Sequence, residues 1–191
     1  RYIEDLARAA IVDGFRQLVV VGAGLDTLAL RLSHRVRAVE IDHPATQRLK
    51  RALVDGPIEF VPADFTRDTL ILRDEPTLFV AEAVFLYLTE AEVRRMLARI
   101  REAKQARLIF TFWEPRNPVN FQNATPLADW WLQRASEPGR WAIAPEKLDD
   151  FLASEGFSLL RLARDDDYHH RYVSKEVPLA KGEHIAVACH P

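Results

Sequence analysis

Four apolar residues, Leu18-Val19-Val20-Val21, run directly into Gly22-Ala23-Gly24. A short continuous apolar run ended by glycine is the pattern of a strand buried on both faces, and such strands belong to parallel sheets covered by helices on either side. A Gly-x-Gly turn leading from that strand into a helix leaves backbone N–H groups free and lets main chain approach a ligand where a Cβ would clash. Alone the turn is weak evidence for a ligand, because a tight strand-to-helix connection also needs glycine.

The residues around the turn repeat the same alternation. Ile3, Leu6, Ala9 and Ala10 recur at helical spacing and predict a helix over 2–13, stopped by Asp13-Gly14. After the turn the pattern predicts a helix over 27–32, a strand over 36–41, a helix over 45–54, a strand over 58–61, a strand over 78–81, a helix over 90–103 and a strand over 108–112. Parallel neighbours need crossover connections, so the expected fold is an α/β, doubly wound sheet with helices on both faces. Between 114 and 140 the rhythm breaks: prolines at 115, 118, 126 and 138 surround Trp130-Trp131, and this segment reads as a lid-like insertion over the site. A helix over 145–154 and strands over 157–162 and 185–189 close the chain, the two strands forming an antiparallel pair at a sheet edge.

With 191 residues, 48% of them hydrophobic, the chain can bury the core of one domain over 1–191. The net charge of −2 and the mixing of both signs along the chain give no footprint for nucleic acid or an anionic membrane, so a small-molecule or peptide acceptor is the expected partner. Cys189 is the single cysteine, which rules out an internal disulfide, and zinc-type Cys/His spacing is absent. No apolar run reaches the roughly 18 residues of a membrane span. A cytoplasmic location is expected. The chain enters its first helix at once from Arg1, as a piece of a longer protein would.

Which ligand the turn receives is a question of charge. Thr27 stands where the dinucleotide fingerprint has its third glycine, and Asp26 places a carboxylate at the helix start. A diphosphate would be repelled there, whereas S-adenosylmethionine carries an ammonium and a sulfonium. Asp26 also reads as a helix cap. Asp42 ends the second strand where an acid can accept both ribose hydroxyls, with Glu40 as the neighbouring alternative and a loop cap as the plainer role. Asp64 can accept from an adenine amine while Phe65 supplies an apolar wall, although such a pair is more often a turn. Glu82 lies within the apolar run Phe79–Phe85, and a carboxylate buried there needs either a cationic ligand group or an internal basic partner.

These motifs together resemble the leucine carboxyl methyltransferase-like family of S-adenosylmethionine-dependent methyltransferases, including its bacterial O-methyltransferase branch. The resemblance rests on Gly22-Ala23-Gly24-Leu25-Asp26-Thr27, Glu40-Ile41-Asp42-His43-Pro44, Pro62-Ala63-Asp64, Ala81–Leu88 and Glu137-Pro138-Gly139-Arg140-Trp141. It implies a Rossmann-like, seven-stranded, mostly parallel sheet. It further implies that the glycine loop and Asp42 hold the methionine and ribose parts of the cofactor, Asp64 and Phe65 the adenine, and Glu82 the amino group. Relatives carry helices upstream of Arg1 that cap the site and supply basic residues for the cofactor carboxylate. Leu28 and Leu30 depart from the bacterial pattern of an arginine and an aromatic.

The function expected is methyl transfer to an oxygen, carboxylate or hydroxyl, of a small molecule or a protein C-terminus. The alternatives are a non-catalytic module that binds the same cofactor and, third, an NAD-dependent oxidoreductase. No catalytic residue is assigned: His43 and Tyr87 lie near the motifs but have ordinary structural roles, and no Asp–His base constellation stands in them. The run Arg164–His170 reads as a solvated loop rather than a metal site. Trp113, Trp130, Trp131 and Trp141 read as core or lid packing, and Cys189 as a buried small hydrophobe.

Overall fold

The apolar runs become strands because only a sheet interior covers them on both sides. All residues of β1 (Gln17–Val21) and β4 (Thr77–Ala81) are buried, and the two strands pair in parallel. β2 (Arg37–Asp42) pairs with β1 and with β3 (Ile58–Pro62), again in parallel, and β5 (Ala106–Trp113) extends the sheet beyond β4. β6 (Ser158–Ala163) and β7 (Glu183–His190) complete it, and β7 runs antiparallel to both its neighbours. The seven strands lie in the order β3-β2-β1-β4-β5-β7-β6, so the order reverses between β1 and β4. The structure is a computed structural model that describes all residues except 69–71, 135–138, 165, 166, 168–170 and 173–179, with the backbone alone at 132 and 133.

Side chains alternate across the sheet and divide the core in two. On one face α1 (Tyr2–Val12) and α2 (Leu28–Leu32) bring Ile3, Ala7, Leu28 and Leu32 against Leu18, Val20 and Val80. On the other, α4 (Glu90–Ile100) and α6 (Leu148–Ser154) bring Met96, Leu97 and Leu148 against Val19, Phe79 and Phe110. α4 is opened by a capping box, in which Thr89 Oγ1 accepts from Glu92 N–H and Glu92 Oε2 accepts from Thr89 N–H. It ends at Ile100, a turn earlier than the periodicity predicts, since Arg101 and Ala103 turn back onto the last carbonyls.

Three expectations change. A helix, α5 (Pro126–Arg134), stands within the segment expected to be irregular; a proline at a first helical turn is compatible with helix. The helix expected over 145–154 is a 3-10 turn, Pro145–Lys147, followed by α6. Cys189 is half-buried rather than buried, one residue before the end of β7. α3 (Pro44–Leu53) inverts the usual pattern: Gln47 and Lys50 point inward, 2% and 1% exposed, while Leu49 and Leu53 are 55% and 68% exposed.

Candidate functional site: a crevice at the carboxyl ends of the strands

In open α/β sheets the ligand crevice lies beyond the strand carboxyl ends where the order reverses, here at β1 and β4. The loop after β1 is tied to β2. Gly22 N–H donates to Ile41 O at 2.8 Å, and Gly24 N–H donates to Asp42 Oδ2 at 2.6 Å. Gly22 has φ +62°, and a Cβ on it would stand 2.6 Å from Val84 Cγ2, so both backbone and space demand glycine. Gly24, at φ +47° with open space around it, is glycine for its backbone alone. Ala23 is buried in the core and faces the loop only through its carbonyl, which accepts from Asp26 N–H.

Asp42 takes the expected place at the end of β2 and also caps the loop. Its second oxygen accepts from His43 N–H at 2.6 Å, yet each carboxylate oxygen keeps a further lone pair for a diol. Beside it a cavity of about 200 Å³ is bounded by Gly22, Asp42, Asp64, Phe65, Val84 and Met96. Phe65 is buried edge-on against Phe79, so its place is fixed by the core. Asp64 Oδ1 accepts from both the amide and the hydroxyl of Thr66, at 2.9 and 2.7 Å. Partial desolvation pushes the Asp64 carboxyl upward, but those two bonds, with Arg67 and Arg95, outweigh it and hold the group below its ordinary range.

Three acids depart from the expectations. Glu82 is exposed, not buried in an apolar run: β4 ends at Ala81, and Ala83 adopts φ +53° with its N–H donating to Thr111 Oγ1, which turns the chain out of the sheet. No basic partner lies within ion-pair distance of Glu82 among the described residues. Desolvation in the crevice, then the carboxylates of Asp26 and Glu183, push its pKa above the ordinary value. Asp26 stands one residue before Thr27, the N-cap of α2, and makes no capping bond to the helix; its carboxylate accepts from Thr27 N–H at 2.6 Å, and Arg31 stands 3.9 Å away and offsets part of its charge. Glu40 lies buried deeper along β2 than Asp42 and outside the cavity lining. It is 1% exposed and pairs with Lys50, whose Nζ stands 2.7 Å from Glu40 Oε2 and also donates to the Asp26 carbonyl.

Several neighbours escape a reading of the sequence. Val84, Leu88 and Met96 wall the cavity, and Glu183 comes from the start of the last strand, too far along the chain for any motif to link it to Asp26. Glu114 and the buried His184 pair at 2.7 Å at the ends of β5 and β7, away from the cavity walls. His43 caps α3 through Nδ1 and also lines the cavity. A larger cavity of about 330 Å³ shares only Phe65 with the crevice and is otherwise lined by Leu72, Arg73, Arg99 and their neighbours. The run 164–170 lies mostly outside the described residues, as do Glu137 and Pro138; no metal-binding cluster occurs among those described. Nor is any described helix long and apolar enough to cross a membrane. Trp113 and Trp141 are core residues, whereas Trp130 and Trp131 are 56% and 60% exposed on α5 and so lie outside the core. Leu28 joins the core, and Leu30 covers Gly56.

A mostly parallel sheet closed by an antiparallel β7, with a glycine loop and strand-end acids at the switch point, defines a Rossmann-like nucleotide-cofactor fold of the kind found in methyltransferases. Residues 1–101 match the leucine carboxyl methyltransferase family, and the chain belongs to it. YktD of Bacillus subtilis, provisionally named an S-adenosyl-L-methionine-dependent methyltransferase, is 32% identical over 116 residues, which cover 52% of this chain and 38% of YktD. The match thus spans well under half of that relative. Among solved structures, the mitomycin 7-O-methyltransferase MmcR superposes with a TM-score of 0.62 at 18% identity, over 97% of this chain and 54% of that one. The glycopeptide N-methyltransferase MtfA, complexed with S-adenosyl-L-methionine, gives 0.64 at 14% identity, over 98% and 87%. At such identities the likeness concerns the fold.

Proposed function

We propose that this chain is the cofactor-binding domain of an S-adenosylmethionine-dependent methyltransferase that moves a methyl group to an oxygen, and we favour a carboxylate oxygen. The observation that carries the reading is the convergence of Asp42, Asp64 and Phe65 on one cavity beside the glycine loop, with Glu82, which has no ion-pair partner among the described residues, sharing the field of Asp26. In this reading Asp42 accepts from the ribose hydroxyls, Asp64 from the adenine amine, and Phe65 flanks the ring. Glu82, with Asp26 reinforcing its field, accepts from the ammonium. When bound, the cofactor supplies an electrophilic methyl on a sulfonium.

The sheet alone does not choose the acceptor, since MmcR and MtfA are named for oxygen and nitrogen acceptors. Two considerations favour a carboxylate: the family's name, and that among the described residues no histidine side chain pairs with a carboxylate at the cavity, where His43 Nδ1 instead accepts from Ala45 N–H, while Glu114 and His184 pair elsewhere. A carboxylate, with an unperturbed pKa of about 4, is already ionised at neutral pH and needs no base. The work left to the protein is then to hold that oxygen in line with the methyl and to exclude water. The acceptor is a small molecule or a peptide carboxylate, and the 114–140 segment, which follows β5 into the crevice end of the sheet, covers it as a lid.

The test is transfer of a labelled methyl group from S-adenosylmethionine to candidate acceptors by the whole protein. The expected product is an ester that loses its label in mild alkali, with a single-turnover rate nearly flat from about pH 6 to 8. An alkali-stable product whose rate climbs with pH would overturn the carboxylate. Tight cofactor binding with no transfer to any acceptor would instead leave a binding module.

A further inference from the structure

α3 buries its polar residues and exposes its leucines, and hydrophobic burial cannot be the reason. Glu40 and Lys50 pair at 2.7 Å with both side chains at most 2% exposed. Such pairs are poor sources of stability, because desolvating two charges costs about what their attraction returns, and apolar replacements of both partners are often neutral or stabilising. Among the described residues, Glu40 Oε1 and both polar atoms of Gln47, one turn before Lys50 on the same inward face, have no hydrogen-bond partner, and Glu40 Oε2 meets Lys50 as a close ion pair rather than a well-aligned hydrogen bond, which makes the arrangement still less favourable.

What the pair does reach is the loop. Three consecutive residues of β2 hold every second residue of that loop: Ile41 O accepts from Gly22, Asp42 Oδ2 accepts from Gly24, and Glu40 acts on Asp26 through Lys50. The first two anchors fix N–H groups, and the third fixes a carbonyl. Lys50 is the only one of these anchors supplied from a helix, so it also ties the loop to α3. Replacing it by an apolar side chain would leave the Asp26 carbonyl free to turn and the start of α2 free to shift.

We propose that Lys50, held by Glu40, is a positioning residue for the cofactor loop, setting the backbone of Asp26 and thereby the approach of Gly22–Asp26 to the ligand. This rests on the reading of the crevice as an S-adenosylmethionine site. Two variants separate positioning from packing. Lys50→Met strands a buried carboxylate and lowers Tm; the double variant Glu40→Leu/Lys50→Met removes both charges and recovers Tm. Expected for both is an affinity for S-adenosylhomocysteine about tenfold weaker than wild type, the scale of one lost hydrogen bond to a charged donor. Both should also show faster amide hydrogen exchange across residues 22–27 in the ligand-free protein. If the double variant recovers affinity and exchange protection along with Tm, Lys50 is structural and the proposal falls. Should Lys50→Met fail to fold, the double variant carries the comparison by itself. If wild type does not bind S-adenosylhomocysteine, the functional reading fails, and loop exchange still decides the role of Lys50.

Discussion

Two segments leave the carboxyl ends of parallel strands, one after β1 and one after β5, and are held in different ways. The loop at 22–26 is fixed by main-chain geometry and by anchors from β2 and α3. The segment after β5 is tied to residues 181 and 182 by main-chain bonds from Gln122 and Glu114, and its helix is held by side chains: Arg116 binds Asp129 through both terminal guanidinium nitrogens at 2.7 and 2.8 Å, and Asn120 adds a third bond to the same carboxylate at 2.7 Å. That knot docks one side of α5 and leaves Leu127, Trp130 and Trp131, at helical spacing on the other side, open to solvent. Function carried by backbone constrains the sequence at few positions but strictly; function carried by side chains on a separate segment can change without disturbing the sheet. The first suits a cofactor common to many enzymes, and the second suits an acceptor that differs among them.

The backbone-held loop is most vulnerable at Gly22. Gly22→Ala adds strain at positive φ and a clash with Val84, and should weaken cofactor binding by about 10- to 100-fold in calorimetry. Adding Val84→Ala should recover only part of that loss, since it relieves the clash and not the backbone. Asp64→Ala is expected to cost a comparable amount, about 1–3 kcal/mol of cofactor affinity, through loss of the proposed adenine contact. An unchanged affinity would remove Asp64 from the site.

A pH dependence should separate Glu82 from both. Its pKa is raised in the folded protein, so without ligand it costs stability as pH rises from its unfolded value through its folded one. A cationic ligand favours the ionised form, so cofactor affinity should rise with pH over that window, above the ordinary glutamate value of 4.5, and Glu82→Gln should flatten the rise. Smallest for the cofactor and largest for the segment after β5 is Asp129→Ala. Freed from Arg116, the 114–134 segment should become a site of limited proteolysis while cofactor affinity stays at the wild-type level.

The parts of the site that are legible in the sequence are those with a local cause. A buried strand must end in a turn, the turn needs glycine, and acids at strand ends fall at fixed spacing, so Gly22, Asp42, Asp64 and Phe65 can be read from their neighbours in the chain. Glu82 defeats that logic because the apolar run Phe79–Phe85 spans a strand and a turn alike, and only the left-handed Ala83 shows where one becomes the other. Glu40 and Asp42 share a side of β2 as alternation requires, but one lies deep in the sheet and the other at its rim. The burial of Lys50 runs against periodicity, because its partner is on β2 and its second contact is 24 residues away in the loop. Prolines hide α5, whose apolar side faces solvent and so lacks the core contacts that helical spacing normally signals.

The carboxylates of this crevice should decide which nucleotide it takes. Parallel calorimetric titrations with S-adenosylmethionine and with NAD, on wild type and on Asp26→Lys, measure that choice. We predict saturable binding of S-adenosylmethionine to wild type, no binding of NAD, and a marked loss of S-adenosylmethionine affinity in the variant with its fold intact by circular dichroism. Binding of NAD, or an Asp26→Lys protein that binds S-adenosylmethionine as wild type does, would contradict the selection of a cationic cofactor by these acids.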